Sequence, residues 1–300
     1  MKNIVLLAPT GQVGFELNRA LSPLGKVIAI GRGQVDFTNL SELMAMIENV
    51  NPDIIVNASA YTAVDKAESE PEQAFLLNAE LPKQLAKLAN TLGALLVHYS
   101  SDYVYKGDGE NFWQENNPVA PLSVYGQSKL AGDNAIMENC QNYLIFRTSW
   151  VYAARGHNFM KTMIKLAQSK ENLNVVNDQI GSPTPARLIA DVSAIAIVKM
   201  LTSDDKAKLS GVYHLAPQGT TSWYGYAGEI FKLARQANME LALKDENFHG
   251  IPTESYPTPA KRPKNSRLNV KKIEQTFDLT LPTWQSQLEL TFAEWLEYQD

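Results

Sequence analysis

A tyrosine and a lysine stand four residues apart at Tyr125 and Lys129, in the stretch Val124-Tyr125-Gly126-Gln127-Ser128-Lys129. On a helix, that spacing puts a phenol and an ammonium on one face, about one turn apart. A free phenol titrates near pH ~10 and exchanges protons poorly at neutral pH. A neighbouring cation favours the phenolate, so the pair is expected to lower the Tyr125 pKa and make it an acid–base group. The same spacing also describes a half-buried ring beside a solvated charge. Both roles stay open until the elements around the pair are placed.

The chain has 300 residues, 45% hydrophobic and 20% charged, which suits a globular protein with a main domain and a smaller lobe. Its net charge of -5 argues against a nucleic-acid-binding surface, which would be basic. The one cysteine, Cys140, excludes an intramolecular disulfide and fits a reducing compartment. The first residues are too short for a signal peptide, and no apolar run approaches the roughly 20 residues of a membrane span. A cytoplasmic chain with no membrane contact is expected.

Strands alternate with helices through the first half. Short apolar, β-branched runs at 4–8, 27–30, 53–57, 94–99 and 143–147 read as strands. Helical spacing fills 11–24, 40–50, 70–92 (interrupted or restarted at Pro82) and 122–138. This alternation predicts an α/β fold, a doubly wound parallel sheet of the Rossmann type. After residue 150 the rhythm changes. Helices are expected at 159–169, 186–201, 223–238 and 283–298, strands at 173–176 and 212–215, and an ordered proline-rich loop at 251–267. Residues 1–150 are assigned to a dinucleotide-binding domain that also receives 173–202. Residues 151–300 form a smaller substrate lobe, interleaved with the first domain.

The turn Ala8-Pro9-Thr10-Gly11-Gln12-Val13-Gly14 joins the first strand to its helix. Glycine there lets the backbone approach a pyrophosphate, and the helix N-terminus offers free N–H groups. Gly11, Gln12 and Val13 are therefore candidate cofactor residues. At the end of the second strand stands Arg32, where a carboxylate would select a ribose 2′-hydroxyl and an arginine a 2′-phosphate. NADPH is favoured on that residue, with NADH possible. Asp36 and Phe37 are candidates for the adenine pocket, although Asp36 also suits a turn cap. Ala60, Tyr61 and Thr62 follow the third strand. Tyr99, Ser101 and Asp102 belong to the end of the fourth, in the same crevice.

Taken together, the glycine turn, Asn57-Ala58-Ser59-Ala60, Ser100-Ser101-Asp102-Tyr103-Val104 and Tyr125-x-x-x-Lys129 resemble the extended short-chain dehydrogenase/reductases. Further motifs are Thr62-Ala63-Val64-Asp65-Lys66-Ala67-Glu68, Phe146-Arg147-Thr148-Ser149-Trp150-Val151-Tyr152, and Asn177-Asp178-Gln179-x-Gly181-x-Pro183-Thr184. With Tyr256-Pro257-Thr258-Pro259-Ala260-x-Arg262-Pro263-x-Asn265-Ser266-Arg267-Leu268, they are similar to the dTDP-4-dehydrorhamnose reductase family within that superfamily. The motifs span roughly residues 4 to 295. The chain departs from the family pattern at Ala8, where glycine is usual, and at Ser101, where threonine is common.

The resemblance implies hydride transfer from NAD(P)H to the 4-keto carbon of a dTDP-sugar. It assigns Ser101 to polarising the substrate oxygen, Tyr125 to proton exchange, and Lys129 to holding the nicotinamide ribose while lowering the tyrosine pKa. Asp102, Trp150, Arg262 and Arg267 are candidates for substrate contact, the arginines because guanidinium suits a diphosphate. Two other roles stay open: an epimerase of the same superfamily, and a regulatory subunit that binds cofactor without turnover. No clustered His, Asp or Glu spacing points to a metal, so none is expected, and monomer and homodimer are equally compatible with the sequence.

Overall fold

The computed structural model describes residues 1–299. The first half runs β1 (Lys2–Leu7), α1 (Gln12–Leu21), β2 (Gly25–Ile30), α2 (Leu40–Val50), β3 (Ile54–Asn57), α3 (Val64–Ala67), α4 (Pro71–Phe75), α5 (Leu81–Leu92), β4 (Leu95–Ser101), α6 (Val124–Asn139) and β5 (Tyr143–Thr148). The second half adds β6 (Val151–Tyr152), α7 (Phe159–Ser169), β7 (Leu173–Val176), β8 (Ile180–Gly181), β9 (Thr184–Pro185), α8 (Ala186–Thr202), α9 (Lys206–Leu209) and β10 (Gly211–His214). It closes with β11 (Thr221–Ser222), α10 (Trp223–Gln236), β12 (Phe248–Ile251), α11 (Lys271–Phe277) and α12 (Trp284–Glu297).

Six strands form one parallel sheet in the order β10-β5-β4-β3-β1-β2. Connections leave β1 in one direction and β3 in the other, so a crevice opens at their C-terminal ends. Ile4, Leu6, Val56, Val97 and Phe146 are buried under α1, α8 and α11. Their neighbours Val5, Leu7, Ile55, Leu96 and Ile145 are buried under α2, α5 and α6. Successive residues of a strand face opposite ways, so a sheet covered on both faces needs unbroken apolar runs. The doubly wound fold expected from the sequence is present.

A separate core gathers α7, α10 and α12 with β7 through Met160, Ile164, Val175, Tyr226, Phe231, Trp284 and Phe292. The segment 173–202 is thereby divided, correcting its wholesale placement in the first domain. β7 spends its backbone hydrogen bonds on β12 and stays with the second core, whereas α8 covers the main sheet through Ile189 and Ala196. Conversely, β10 crosses back from the second half to pair with β5. The long helix at 70–92 is interrupted by a π turn at Leu76–Glu80 and restarts as α5 at Leu81, next to Pro82. That proline sits in the first turn of α5, where a missing N–H leaves nothing unpaired.

Ala8 carries the strain of the glycine turn. Its φ is 58°, in the left-handed region where a Cβ crowds the following carbonyl. The methyl is accommodated by backbone strain and not by a wider turn: Gly11 N still donates to Ala8 O at 3.2 Å. Ala8→Gly is expected to raise stability by about 0.5–1 kcal/mol in urea unfolding, with the gain tempered by glycine's greater unfolded-state entropy.

Candidate active site

Helix α6 is placed by close backbone approach. A Cβ on Gly126 would stand 2.3 Å from Tyr103 O, and one on Gly132 would stand 2.1 Å from Asn78 O. Neither position admits a side chain without moving backbone. The Ser123 side chain caps the helix by accepting from Gly126 N. Fully buried Asn78, in the π turn, donates to both Ser128 Oγ and Tyr61 O and accepts from Tyr61 N. One amide thus ties the loop after β3 to the helix carrying Tyr125 and Lys129.

Ser101, Asp102, Tyr125 and Lys129 meet where β4 ends against α6. Tyr125 packs edge-to-face on Tyr103 with ring centroids 5.4 Å apart, and the Ser101 hydroxyl is close enough to favour its phenolate. Ser101 Oγ donates to Asp102 Oδ1 at 3.1 Å and accepts from Tyr103 N. Rotation about its Cβ–Oγ bond can turn that single proton from Asp102 toward the phenol oxygen or toward a substrate oxygen.

The electrostatics correct one expectation. Burial pushes the Tyr125 phenol up, with Ser101 only partly opposing it, and Lys129 is not among the groups that shift it. The ammonium is instead turned toward the strand. Lys129 is 1% exposed, donates to Tyr99 O at 2.6 Å and stands 3.4 Å from His98 Nε2. Burial pushes Lys129 down to about 8, against the opposing charge of Asp133 one turn further along α6. Tyr125 at neutral pH is therefore a proton holder, the state a proton donor requires.

Asp102 is pushed up to about 6 by burial, against the hydroxyls of Ser266 and Ser101. A carboxyl whose folded-state pKa exceeds its unfolded value stabilises the fold when protonated, and that contribution is lost as pH rises through 6. Asp102→Asn is therefore expected to gain on wild type by up to about 3 kcal/mol between pH 4 and pH 7, with the two converging below pH 4, in urea unfolding across that range.

At the other end of the crevice, α1 begins at Gln12 behind Gly11, with no side-chain cap and no acid in its first turn. A Cβ on Gly14 would lie 2.0 Å from Ala8 O, so the turn closes only on glycine. The amides of Gln12 and Val13 open the helix, and this positive, uncapped end fits a pyrophosphate. Gln12 Oε1 accepts from Asn158 Nδ2 at 2.9 Å, docking the loop after β6 against the turn. Arg32 is exposed and in no ion pair among the described residues.

Other candidates sit differently from expectation. Phe37 is buried in the core under α2, and Asp36 caps a turn by accepting from Thr38 N. Asp36 is exposed and keeps its second carboxylate oxygen out of that bond. The Tyr99 ring stacks on Phe146 and its hydroxyl donates to Ser193 of α8, so only its carbonyl reaches the site. The Tyr61 hydroxyl donates to Glu70, while Ala60 and Thr62 flank it on the loop that Asn78 holds. Trp150, with φ 48°, stacks on Trp223 at 3.7 Å between centroids. Arg262 is paired with Asp65 at 2.7 Å, beside the Tyr103 hydroxyl, and Arg267 folds back onto Asn265. Among the described residues, no three His, Cys, Asp or Glu side chains cluster as metal ligands.

The sequence reading missed Asn78, His98 and Trp223 as parts of the site. Asn78 and His98 each interrupt an apolar stretch, and a polar group buried there needs a partner. That interruption was the available signal. Nothing local marked Trp223, whose partner lies 73 positions earlier in the chain.

Comparison with known proteins gives concordant results. The family model described as the RmlD substrate binding domain matches residues 1–296. A dTDP-4-dehydrorhamnose reductase of Escherichia coli (strain K12) is 53% identical, with 94% of each chain aligned. Among solved structures, a dTDP-4-dehydrorhamnose reductase from Clostridium acetobutylicum aligns with TM-score 0.87 at 34% identity, over 98% of this chain and 99% of that one. One from Bacillus anthracis, in complex with NADP, aligns with TM-score 0.86 at 34% identity over the same shares.

Proposed function

The chain belongs to the family of the RmlD substrate binding domain, and from that premise we propose that it reduces dTDP-6-deoxy-L-lyxo-4-hexulose to dTDP-L-rhamnose. It is an NAD(P)H-dependent oxidoreductase whose preferred cofactor, on the exposed Arg32, is NADPH. The observation that carries this is the meeting of Ser101, Tyr125 and Lys129 at the crevice that the glycine turn also lines. The reaction places it in dTDP-rhamnose and polysaccharide biosynthesis, which we assign to the cytoplasm.

The amides of Gln12 and Val13 at the mouth of α1 would hold the pyrophosphate, Arg32 a 2′-phosphate, and Lys129 the nicotinamide ribose. The reduced nicotinamide, when bound, supplies the hydride. Negative charge then develops on the sugar's ketone oxygen. Ser101 and Tyr125 donate hydrogen bonds to that oxygen, and Tyr125 gives up its proton to complete the alcohol. The raised pKa of Tyr125 keeps the phenol protonated until an alkoxide, a stronger base, demands the proton. Protein groups fix the reacting centres in register, which removes much of the entropic barrier.

Asp102 would accept from a sugar hydroxyl. Trp150 and Trp223 would form an aromatic wall for the sugar or the base, and Arg262 and Arg267 would approach the diphosphate. NADPH absorbance provides the test: cofactor is expected to be consumed only when the 4-keto dTDP-sugar is added. Interconversion of the sugar with no net loss of NADPH would favour an epimerase instead.

A further inference from the structure

His98 is fully buried on β4, between Asn57 on β3 and Lys129 on α6. Asn57 Nδ2 stands 3.2 Å from His98 Nδ1, and Lys129 Nζ stands 3.4 Å from His98 Nε2. The Asn57 amide is oriented by Ser59, whose backbone N–H reaches Asn57 Oδ1 at 3.1 Å and whose hydroxyl reaches the same oxygen. A backbone N–H only donates, so the atom it meets is the carbonyl oxygen and the NH2 points at the imidazole. His98 Nδ1 must then accept. In a neutral ring the proton lies on Nε2, facing Lys129. Burial and the Lys129 charge both hold His98 well below its ordinary pKa, which keeps the ring neutral.

We propose that His98 is a positioning residue for Lys129: held by Asn57 and Ser59, its ring presents an N–H to Lys129 Nζ, a contact that only the neutral amine can accept. The ammonium finds no acceptor on that side. Its protons are directed to Tyr99 O and to the open crevice, where a ribose hydroxyl would lie. The other charged or titratable groups around Nζ are Asp133 and Tyr125 from α6 itself and Arg147 of β5, which pairs with Asp133 at 3.0 Å. Residues 76–80 bring the neutral Asn78 to Ser128 of α6, while Glu80 is held by Lys83 and Gln84. Glu68 accepts from Val124 N at the start of the helix. Burial opposes Asp133 in setting the proton content of Lys129, and His98, 3.4 Å away, adds a donor where the ammonium would need an acceptor. The inference rests on the role of Lys129 given above, but its test does not require turnover.

The chain has four histidines, so ¹⁵N-histidine labelling gives a simple spectrum. The His98 signals are those absent from His98→Gln, and wild type is expected to show Nε2 protonated and Nδ1 bare. The titration of Lys129, followed by its ¹³Cε shift, is expected near pH 8 in wild type. It should move up by about one unit in His98→Gln, whose amide oxygen can accept from the ammonium. Asn57→Asp provides a second variant. Its carboxylate takes the proton on Nδ1, turns the Nε2 lone pair toward Nζ, and also moves the titration up. An Nδ1–H tautomer in wild type, or a Lys129 titration unmoved in both variants, overturns the proposal. Absence of sugar reduction leaves these shifts untouched and would instead count against the proposed function.

Discussion

Replacing Tyr125 by phenylalanine is expected to lower kcat by about three orders of magnitude while leaving NADPH affinity within about twofold. The substitution removes one oxygen from a half-buried ring that keeps its edge-to-face contact with Tyr103. Loss of the proton donor, together with one of two hydrogen bonds to the developing alkoxide, acts on the transition state and not on the ground state. The Ser101 hydroxyl remains, so residual turnover should exceed that of a variant lacking both groups. Steady-state kinetics with a fluorescence titration of NADPH separates the two effects. A phenylalanine variant with wild-type kcat would remove Tyr125 from the mechanism.

Lys129→Met should be nearly as damaging to turnover and should act on cofactor binding as well. We expect kcat to fall at least ~100-fold and NADPH affinity at least ~10-fold, because the ribose loses a charged donor. Stability should move differently. Wild type keeps an ammonium 1% exposed, at a pKa of about 8 against an ordinary 10.5. For a base depressed in the folded state, the favourable contribution exists above the unfolded pKa and is lost as pH falls through the folded one. Wild type should therefore gain on Lys129→Met by roughly 3 kcal/mol between pH 7 and 10.5. At pH 7 the methionine variant should be about as stable as wild type, since relief of the buried charge offsets an unpaired Tyr99 O. Urea unfolding at pH 7 and pH 10 measures this difference.

The legible parts of the sequence were those set by local periodicity. Each strand of the parallel sheet is buried on both faces, so each announced itself as an apolar run, and the helix carrying Tyr125 and Lys129 fell between two of them. The glycine turn was legible for the same reason, because Gly14 has no room for a Cβ. Long-range pairing was not legible. β10 returns to β5 across the 62 residues between Thr148 and Gly211, and β7 finds β12 in place of the main sheet. Arg262 reads as a free cation in sequence, yet Asp65, 197 positions away, holds it.

Electrostatics were the other blind spot. The spacing of Tyr125 and Lys129 suggests a cation lowering a phenol, but depth of burial and the direction of Nζ decide the outcome. Those depend on the Tyr99 carbonyl and on His98. Phe37 shows the same limit on a smaller scale. An aromatic after the second strand can face a cofactor or the core, and here the apolar surroundings of Val35, Ile30 and Leu43 took it inward.

Deuterium transfer tests the central claim most directly. The protein is incubated with dTDP-6-deoxy-L-lyxo-4-hexulose and NADPH carrying deuterium at the transferable position, and the sugar product is analysed by mass spectrometry and proton NMR. The account predicts dTDP-L-rhamnose with one deuterium at C4 and stoichiometric loss of NADPH. Bound but unoxidised NADPH beside unchanged sugar, or a converted sugar carrying no deuterium at C4, would contradict it.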